Sequence, residues 1–192
     1  MQITIGLIGM SIFVTLLSGF GESAVIVTKT LITASSFGVL DEIRSGELWR
    51  LITPAFIHFD IYHLVFNLLW VWVCGGAIEK RRGWLVYLFI FAVAASVSNL
   101  AQYWYSGPAF GGMSGVVYAF VGYIWMQMKF NPIGYAGVIP RAVIPLMMIW
   151  FIACWLNLIP NVANIAHTTG LILGVIWGRV DAMIAFNRYR AL

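Results

Sequence analysis

Charge is scarce in this sequence. Asp, Glu, Lys and Arg make up 9% of its 192 residues, against about a quarter in an ordinary soluble domain. Eleven basic and seven acidic side chains are too few to cover a water-soluble protein of this size, which excludes a soluble enzyme. An apolar share of 61% excludes a disordered chain. The net charge of +4 is too small and too dispersed for a nucleic-acid binder. Cysteine is nearly missing. Cys74 and Cys154 lie in apolar runs without metal-ligand spacing and read as small core hydrophobes. No Lys or Arg precedes the apolar stretch from Gln2 to Phe20. It therefore lacks the basic start of a secretory signal and reads as a retained first span, with cleavage after the Gly19–Ser23 region as the minor alternative. Internal repeats and low-complexity tracts are absent too, so residues 1–192 read as one domain.

What is present is membrane-like. Mean hydropathy is +0.91, and 16% of residues are aromatic, nine of them Trp, a composition that suits two interfaces to anchor. A span needs about 20 residues of apolar helix. Six candidates follow: 3–20, 61–79, 84–104, 114–128, 140–156 and 164–185. The expected fold is an all-α polytopic bundle of six transmembrane helices. Segment 21–60 is too polar to span and too apolar to be a free loop, so it is expected to lie embedded in the interface. With residue 1 inside, Lys80, Arg81, Arg82, Lys129, Arg141, Arg179, Arg188 and Arg190 share the inner side with Glu79 and Asp181. Lys29, Arg44 and Arg50 face outward with Glu22, Asp41, Glu42, Glu47 and Asp60. The balance, +6 inside and −2 outside, places both termini in the cytoplasm.

The fourth span is short. It follows the helix breakers Gly107, Pro108, Gly111 and Gly112 and ends at Lys129. Ser114 to Lys129 measures about 22 Å of helix, against a hydrocarbon core of about 30 Å. With Lys129 at the inner interface, Ser114 lies roughly 8 Å below the outer one. Irregular backbone at that depth must be shielded by protein or line a wet cavity. An outward-opening, water-accessible hole floored by the start of a helix is therefore expected. Counted from Glu79, Arg179 and Asp181, the side chains His63, Asn67 and His167 fall at the same level as Ser114, about 18–24 Å above the inner interface. Polar groups at such depth default to function. His63 and Asn67 are four apart and share a helix face. His167, Gly170, Gly174 and Gly178 form one stripe, and Gly115, Ala119 and Gly122 another beside Ser114. Small stripes allow close helix packing, so the fourth and sixth spans are expected to meet with Ser114 and His167 near the top, and Tyr118 next to the imidazole.

A serine hydroxyl needs a base to become a nucleophile, and neutral imidazole takes and returns that proton. No Asp or Glu lies near this level on either helix, which points to a Ser114–His167 dyad rather than a triad. Acyl transfer also needs donors for the developing oxyanion. The free N–H groups at a helix start, the Asn67 amide and the His63 imidazole supply them.

These residues resemble the rhomboid family of intramembrane serine proteases in its bacterial six-helix form. The matching motifs are a long first loop ending in Trp49-Arg50, His63-x-x-x-Asn67, Gly112-Met113-Ser114-Gly115 and Ala166-His167-x-x-Gly170-x-x-x-Gly174, in order and across essentially the whole chain. The resemblance implies cleavage of other membrane proteins in or beside their transmembrane segments, in a bacterial inner membrane, with the site open to the periplasm. It implies Ser114 as nucleophile, His167 as general base and acid, and an oxyanion site of His63, Asn67 and the Ser114 backbone. Gly112, Gly115, Tyr118, Gly170 and Gly174 support them, Gly112 by allowing a tight loop and Tyr118 by stacking on His167. Transmembrane substrates and the bilayer are the implied partners, with no cofactor, metal or nucleic acid. The fifth span and loop 157–163, including Trp150 and Phe151, are implied to gate substrate entry. Against larger members, neither an N-terminal cytosolic domain nor a seventh helix is expected from this sequence.

Competing readings differ in class. A small-solute transporter would use a midplane polar site at broken helices, but no mid-membrane carboxylate or inverted repeat supports it. A metal site of His58, His63 and His167 lacks the H-E-x-x-H pattern. Serine in a membrane helix also bonds backbone carbonyls, and His63 with Asn67 could tie down the first loop. His58 is expected to be interfacial and inert, and Trp49-Arg50 to anchor the interface.

Overall fold

The computed structural model describes residues 1–35 and 39–190, with side chains to residue 185. Residues 36–38 of the expected interfacial segment, and the side chains of the expected topology markers Arg188 and Arg190, lie outside the described residues. All regular structure among the described residues is helical: α1 (Gln2–Leu17), α2 (Ala24–Thr30), α3 (Asp41–Arg44), α4 (Ile61–Trp70), α5 (Gly76–Arg82), α6 (Trp84–Ser106), α7 (Ser114–Phe130), α8 (Pro132–Tyr135), α9 (Val143–Trp155) and α10 (Asn164–Arg190). A π turn over Val71–Gly75 joins α4 to α5 into one run, Ile61–Arg82. That run, Trp84–Ser106 and Asn164–Ala185 are long and apolar enough to cross a membrane. Gln2–Leu17 and Val143–Trp155 are shorter apolar helices.

Boundaries follow local chemistry. α1 stops three residues before the expected limit because Gly19 and Phe20 turn left-handed, at φ 57° and 56°. Its first turn is held from α5: Glu79 accepts hydrogen bonds from the Ile3 and Thr4 N–H groups at 3.1 and 2.8 Å and from the Thr4 hydroxyl. A helix start leaves such donors unpaired, and a carboxylate is the natural acceptor there. Glu79 is thus a buried clasp. α6 runs between Gly83 and Gly107, both at positive φ.

The first segment is more ordered than an interfacial loop. Besides α2 and α3 it carries 3-10 turns at Leu48–Leu51 and Thr53–Phe56. Arg50, expected as an interface anchor, is instead buried, at 7% exposure. Its Nε donates to Glu47 at 2.6 Å, and its Nη1 donates to the carbonyls of Thr28 and Leu31 at 2.8 and 2.9 Å. A planar fork of donors suits three acceptors on two sides. Trp49 alone faces outward.

α7 is the hub, buried along nearly its whole length. Its closest neighbour is α10. A Cβ on Gly170 would overlap the Gly115 carbonyl, one on Gly174 the Ala119 carbonyl, and one on Gly178 would lie 2.6 Å from the Tyr123 carbonyl. In return, a Cβ on Gly122 would lie 2.9 Å from the Leu171 carbonyl. The two helices meet backbone to backbone. At their far end Asp181, also expected as an interface marker, is buried. It accepts from Arg82 Nη2 at 2.6 Å and from the Tyr123 hydroxyl.

Candidate active site

Ser114 is the first residue of α7. The chain reaches it through a loop pressed flat on the segment before α4. The Gly112 N–H donates to the Pro54 carbonyl at 2.9 Å. Gly112 has φ +106°, and a Cβ there would overlap the His63 ring. Glycine is required twice, for the left-handed backbone and for the close approach. Met113 is buried, and Ser114 half-buried.

α10 brings His167 to the same end of α7. Ala166 and His167 pack where α7 begins, with the Ala166 carbonyl 3.3 Å from where a Gly115 Cβ would stand. Neighbours fix this turn: the Ala166 N–H donates to Gln102 Oε1 at 3.0 Å, and Asn164 Nδ2 to the Cys154 carbonyl at 3.1 Å. The His167 ring is 6% exposed. It lies on Tyr118, with centroids 4.6 Å apart and planes tilted by 34°. Tyr118 in turn meets the edge of Phe151 at 5.6 Å. His167 Nδ1 is buried without a hydrogen-bond partner among the described residues, so no carboxylate orients this imidazole. Packing does.

α4 supplies the facing wall. Asp60 caps it by accepting from the His63 N–H at 2.7 Å. His63 is half-buried against Gly112, whereas Asn67 is fully buried. Asn67 Nδ2 lies 3.0 Å from His58 Nε2.

His58 corrects the sequence reading. It is not an inert interfacial group but is fully buried, at 0% exposure. Its Nε2 accepts from the Met113 N–H at 3.4 Å, and a backbone N–H can only donate. Nε2 is therefore unprotonated, and Asn67 must present its amide N–H to it. The proton sits on Nδ1 and faces Thr15 Oγ1 at 3.4 Å, whose own hydroxyl donates to the Phe56 carbonyl at 3.3 Å. One tautomer satisfies the whole chain of bonds. His58 thus holds two donors beside Ser114, the Asn67 amide and the loop backbone. Its T-shaped contact with His63, at 5.0 Å, completes the cluster. Among the described residues no three His, Cys, Asp or Glu side chains are grouped as metal ligands.

A half-buried hydroxyl at a helix start, an imidazole on the helix welded to it, and amide and imidazole donors opposite make up the parts of acyl-transfer chemistry. Residues 45–183, which include Ser114, His167, His63, Asn67 and His58, match the model of the rhomboid domain. The chain belongs to the rhomboid family. Over 150 residues it is 40% identical to the rhomboid protease GlpG of Salmonella paratyphi A, 41% to that of Salmonella choleraesuis and 40% to that of Salmonella newport. Each alignment covers 77% of this chain and 54% of the relative, so the chain spans about half the length of the curated relatives it matches. With its long apolar helices, this GlpG-type rhomboid is an integral membrane protein.

Beside the site, α4 and α9 of the rhomboid touch through Phe66 and Trp150, stacked with centroids 5.9 Å apart and planes 26° apart. The connection from α9 to α10 turns through Asn157 and Asn161, both left-handed. Two cavities lie away from Ser114. One of about 910 Å³ runs between α7 and α9, and one of about 480 Å³ lies between α1 and the 3-10 turn at Thr53–Phe56.

Proposed function

We propose that this rhomboid is an intramembrane serine endopeptidase that cleaves peptide bonds in or beside transmembrane segments of other membrane proteins. The observation that carries the reading is the placement of Ser114 at the head of α7, on a helix locked to the one bearing His167. Ser114 Oγ attacks the substrate carbonyl carbon while His167 Nε2 takes its proton. The tetrahedral oxyanion is met by the Ser114 N–H, the second N–H of Asn67 and the His63 ring, each donor worth about 3–4 kcal/mol in the transition state. His167 returns the proton to the leaving amine, and an acyl-serine remains. Water then attacks the ester, giving its proton to the same imidazole, which restores the serine. Tyr118 steers the imidazole. Gly112, Gly115, Gly170 and Gly174 set the distance between the two helices.

The remaining reading concerns the setting. The chain forms one domain with six spans, built on α1, α4 with α5, α6, α7, α9 and α10. α7 measures about 25 Å, short of a core of about 30 Å, so its head lies below the outer surface in a wet hollow. The excess of basic residues at the Lys80–Arg82 end supports cytoplasmic termini in a bacterial inner membrane, with the hollow facing the periplasm. The Phe66–Trp150 stack and segment 157–163 stand where a substrate helix enters.

The test is covalent. A fluorophosphonate probe labels the wild-type protein in detergent, and Ser114→Ala abolishes labelling. Ser114→Ala and His167→Ala each abolish cleavage of a reconstituted single-span substrate without changing the helical circular dichroism. Near-normal cleavage by either variant refutes the dyad. Substrate-independent solute flux through the wild-type protein would favour transport instead.

A further inference from the structure

The cavity of about 910 Å³ between α7 and α9 lies outside the proposed catalytic machinery. Its walls are apolar, with Trp125 and Met128 on α7 and Met148, Ile149 and Ile152 on α9. Its end carries two cations, Lys129 at the foot of α7 and Arg141 just before α9. From Ile144 to Ile152 the groove extends about 12 Å along α9, most of one leaflet of a core about 30 Å thick. Among the described residues no acidic side chain lines it.

Among the described residues these two cations are unneutralised. Arg82 is paired with Asp181, and Arg50 with Glu47. Lys129 leans on the Phe130 ring at 5.2 Å, and neither Lys129 nor Arg141 has a carboxylate partner among the described residues. On the membrane placement proposed above, these two cations lie at headgroup level over a groove about one leaflet deep, which matches one amphiphile. Its head must be a phosphate diester with net negative charge, and its tail an acyl chain. A zwitterionic head would bring its own ammonium against both cations. An arginine fork grips phosphate bidentately, and lysine adds a point charge. Basic pockets between membrane helices select anionic headgroups for this reason. α9 also has few protein neighbours, its main contact being with α10, so a seated chain supplies packing that the protein does not.

We propose that this groove is a binding site for an anionic phospholipid of the leaflet at the basic end of the bundle. Native mass spectrometry of the protein extracted from mixed phosphatidylglycerol–phosphatidylcholine nanodiscs tests it, and the readout needs no catalytic activity. The expected result is one phosphatidylglycerol retained per chain in preference to phosphatidylcholine. In the double variant Lys129→Gln, Arg141→Gln retention falls about tenfold, whereas Lys80→Gln, an exposed cation at the same end but outside the groove, leaves it unchanged. Ile149→Trp keeps both cations but fills the groove from a side chain that is 64% exposed, and it causes the same loss in a folded protein. Equal retention of both lipids, or retention unchanged in the double variant and in Ile149→Trp, overturns the proposal. So does a dimer that shields the groove, since a second copy would then be its occupant.

Discussion

Removing the His58 ring leaves the buried Asn67 amide and the Met113 N–H without their acceptor. An amide that loses its partner in a dry setting reorients or draws in water, and on the proposed mechanism a displaced oxyanion donor costs rate rather than affinity. His58→Ala is therefore expected to lower kcat about tenfold with KM little changed, in steady-state cleavage of a reconstituted substrate. Asn67→Ala lowers kcat about a hundredfold. Because the two residues share one bond, the loss in the double variant is smaller than the product of the two single losses, the remainder coming from the Met113 N–H that His58 also holds. Fully additive losses would show that His58 acts elsewhere. At Gly112 the backbone is left-handed and a Cβ would overlap His63, so Gly112→Ala loses both activity and thermal stability, read in one melting experiment with a parallel assay. A further residue-level clasp lies in the first segment. The Thr33 hydroxyl, with the Ala34 N–H, holds the Glu42 carboxyl below its ordinary value of 4.5. A depressed folded value means that the clasp is fully present above the ordinary value and is lost as pH falls through the lower one. Hydrogen exchange at the Ala34 amide, referenced to Glu42→Gln, should show extra protection at neutral pH that disappears in acid, below the ordinary carboxyl value of 4.5.

At the scale of elements, the α7–α10 contact is the most sensitive to side-chain size. Gly170→Ala puts a methyl into the Gly115 carbonyl. Overpacking costs about 1–3 kcal/mol or more where only backbone can give way, so heat denaturation in detergent falls by several degrees. Gly6 in α1 meets nothing within 4 Å, so Gly6→Ala is neutral or stabilising by up to about 1 kcal/mol. A matching loss in both variants would refute the packing account. Much of this was legible in the sequence. The start of α7 at Ser114 followed from the glycines and proline before it, and the α7–α10 contact from residues three and four apart, because helical period is a local property. The roles of His58 and Arg50 were not legible. The burial of His58 depends on residues 53–59 folding beneath the loop at Gly111 and Gly112, through the bond from Gly112 N–H to the Pro54 carbonyl, and that of Arg50 on the backbone carbonyls of Thr28 and Leu31. Backbone bonds of that kind leave no side-chain pattern. Glu79 and Asp181 read as surface charges because composition does not reveal that the start of α1, or Arg82 and Tyr123, will cover them.

For the molecule as a whole, the two ends of the bundle are built differently. Around Ser114 the contacts are neutral hydrogen bonds through His58, Gln102 and Asn164, with the ion pair Arg50–Glu47 in the first segment. The opposite end is held by charge: Asp181 gathers Arg82 and Tyr123, and Arg81 donates to the Gly134 carbonyl at 2.6 Å while lying over the Tyr135 ring. Asp181→Ala leaves these partners facing a void. It should cost about 3 kcal/mol, read as a lower unfolding midpoint in graded denaturing detergent, with kcat of the surviving folded fraction unchanged. Loss of kcat without loss of stability would mean that the two ends communicate.

The interleaved glycines of α7 and α10 make one last point about motion. Two rods whose main chains touch cannot slip or swivel against each other, so hydroxyl and imidazole travel as a single rigid body. Any breathing of the protein is left to α9 and its connecting turns, which lack such interlocking. A thicker or stiffer bilayer should therefore slow delivery of the peptide long before it blunts the chemistry.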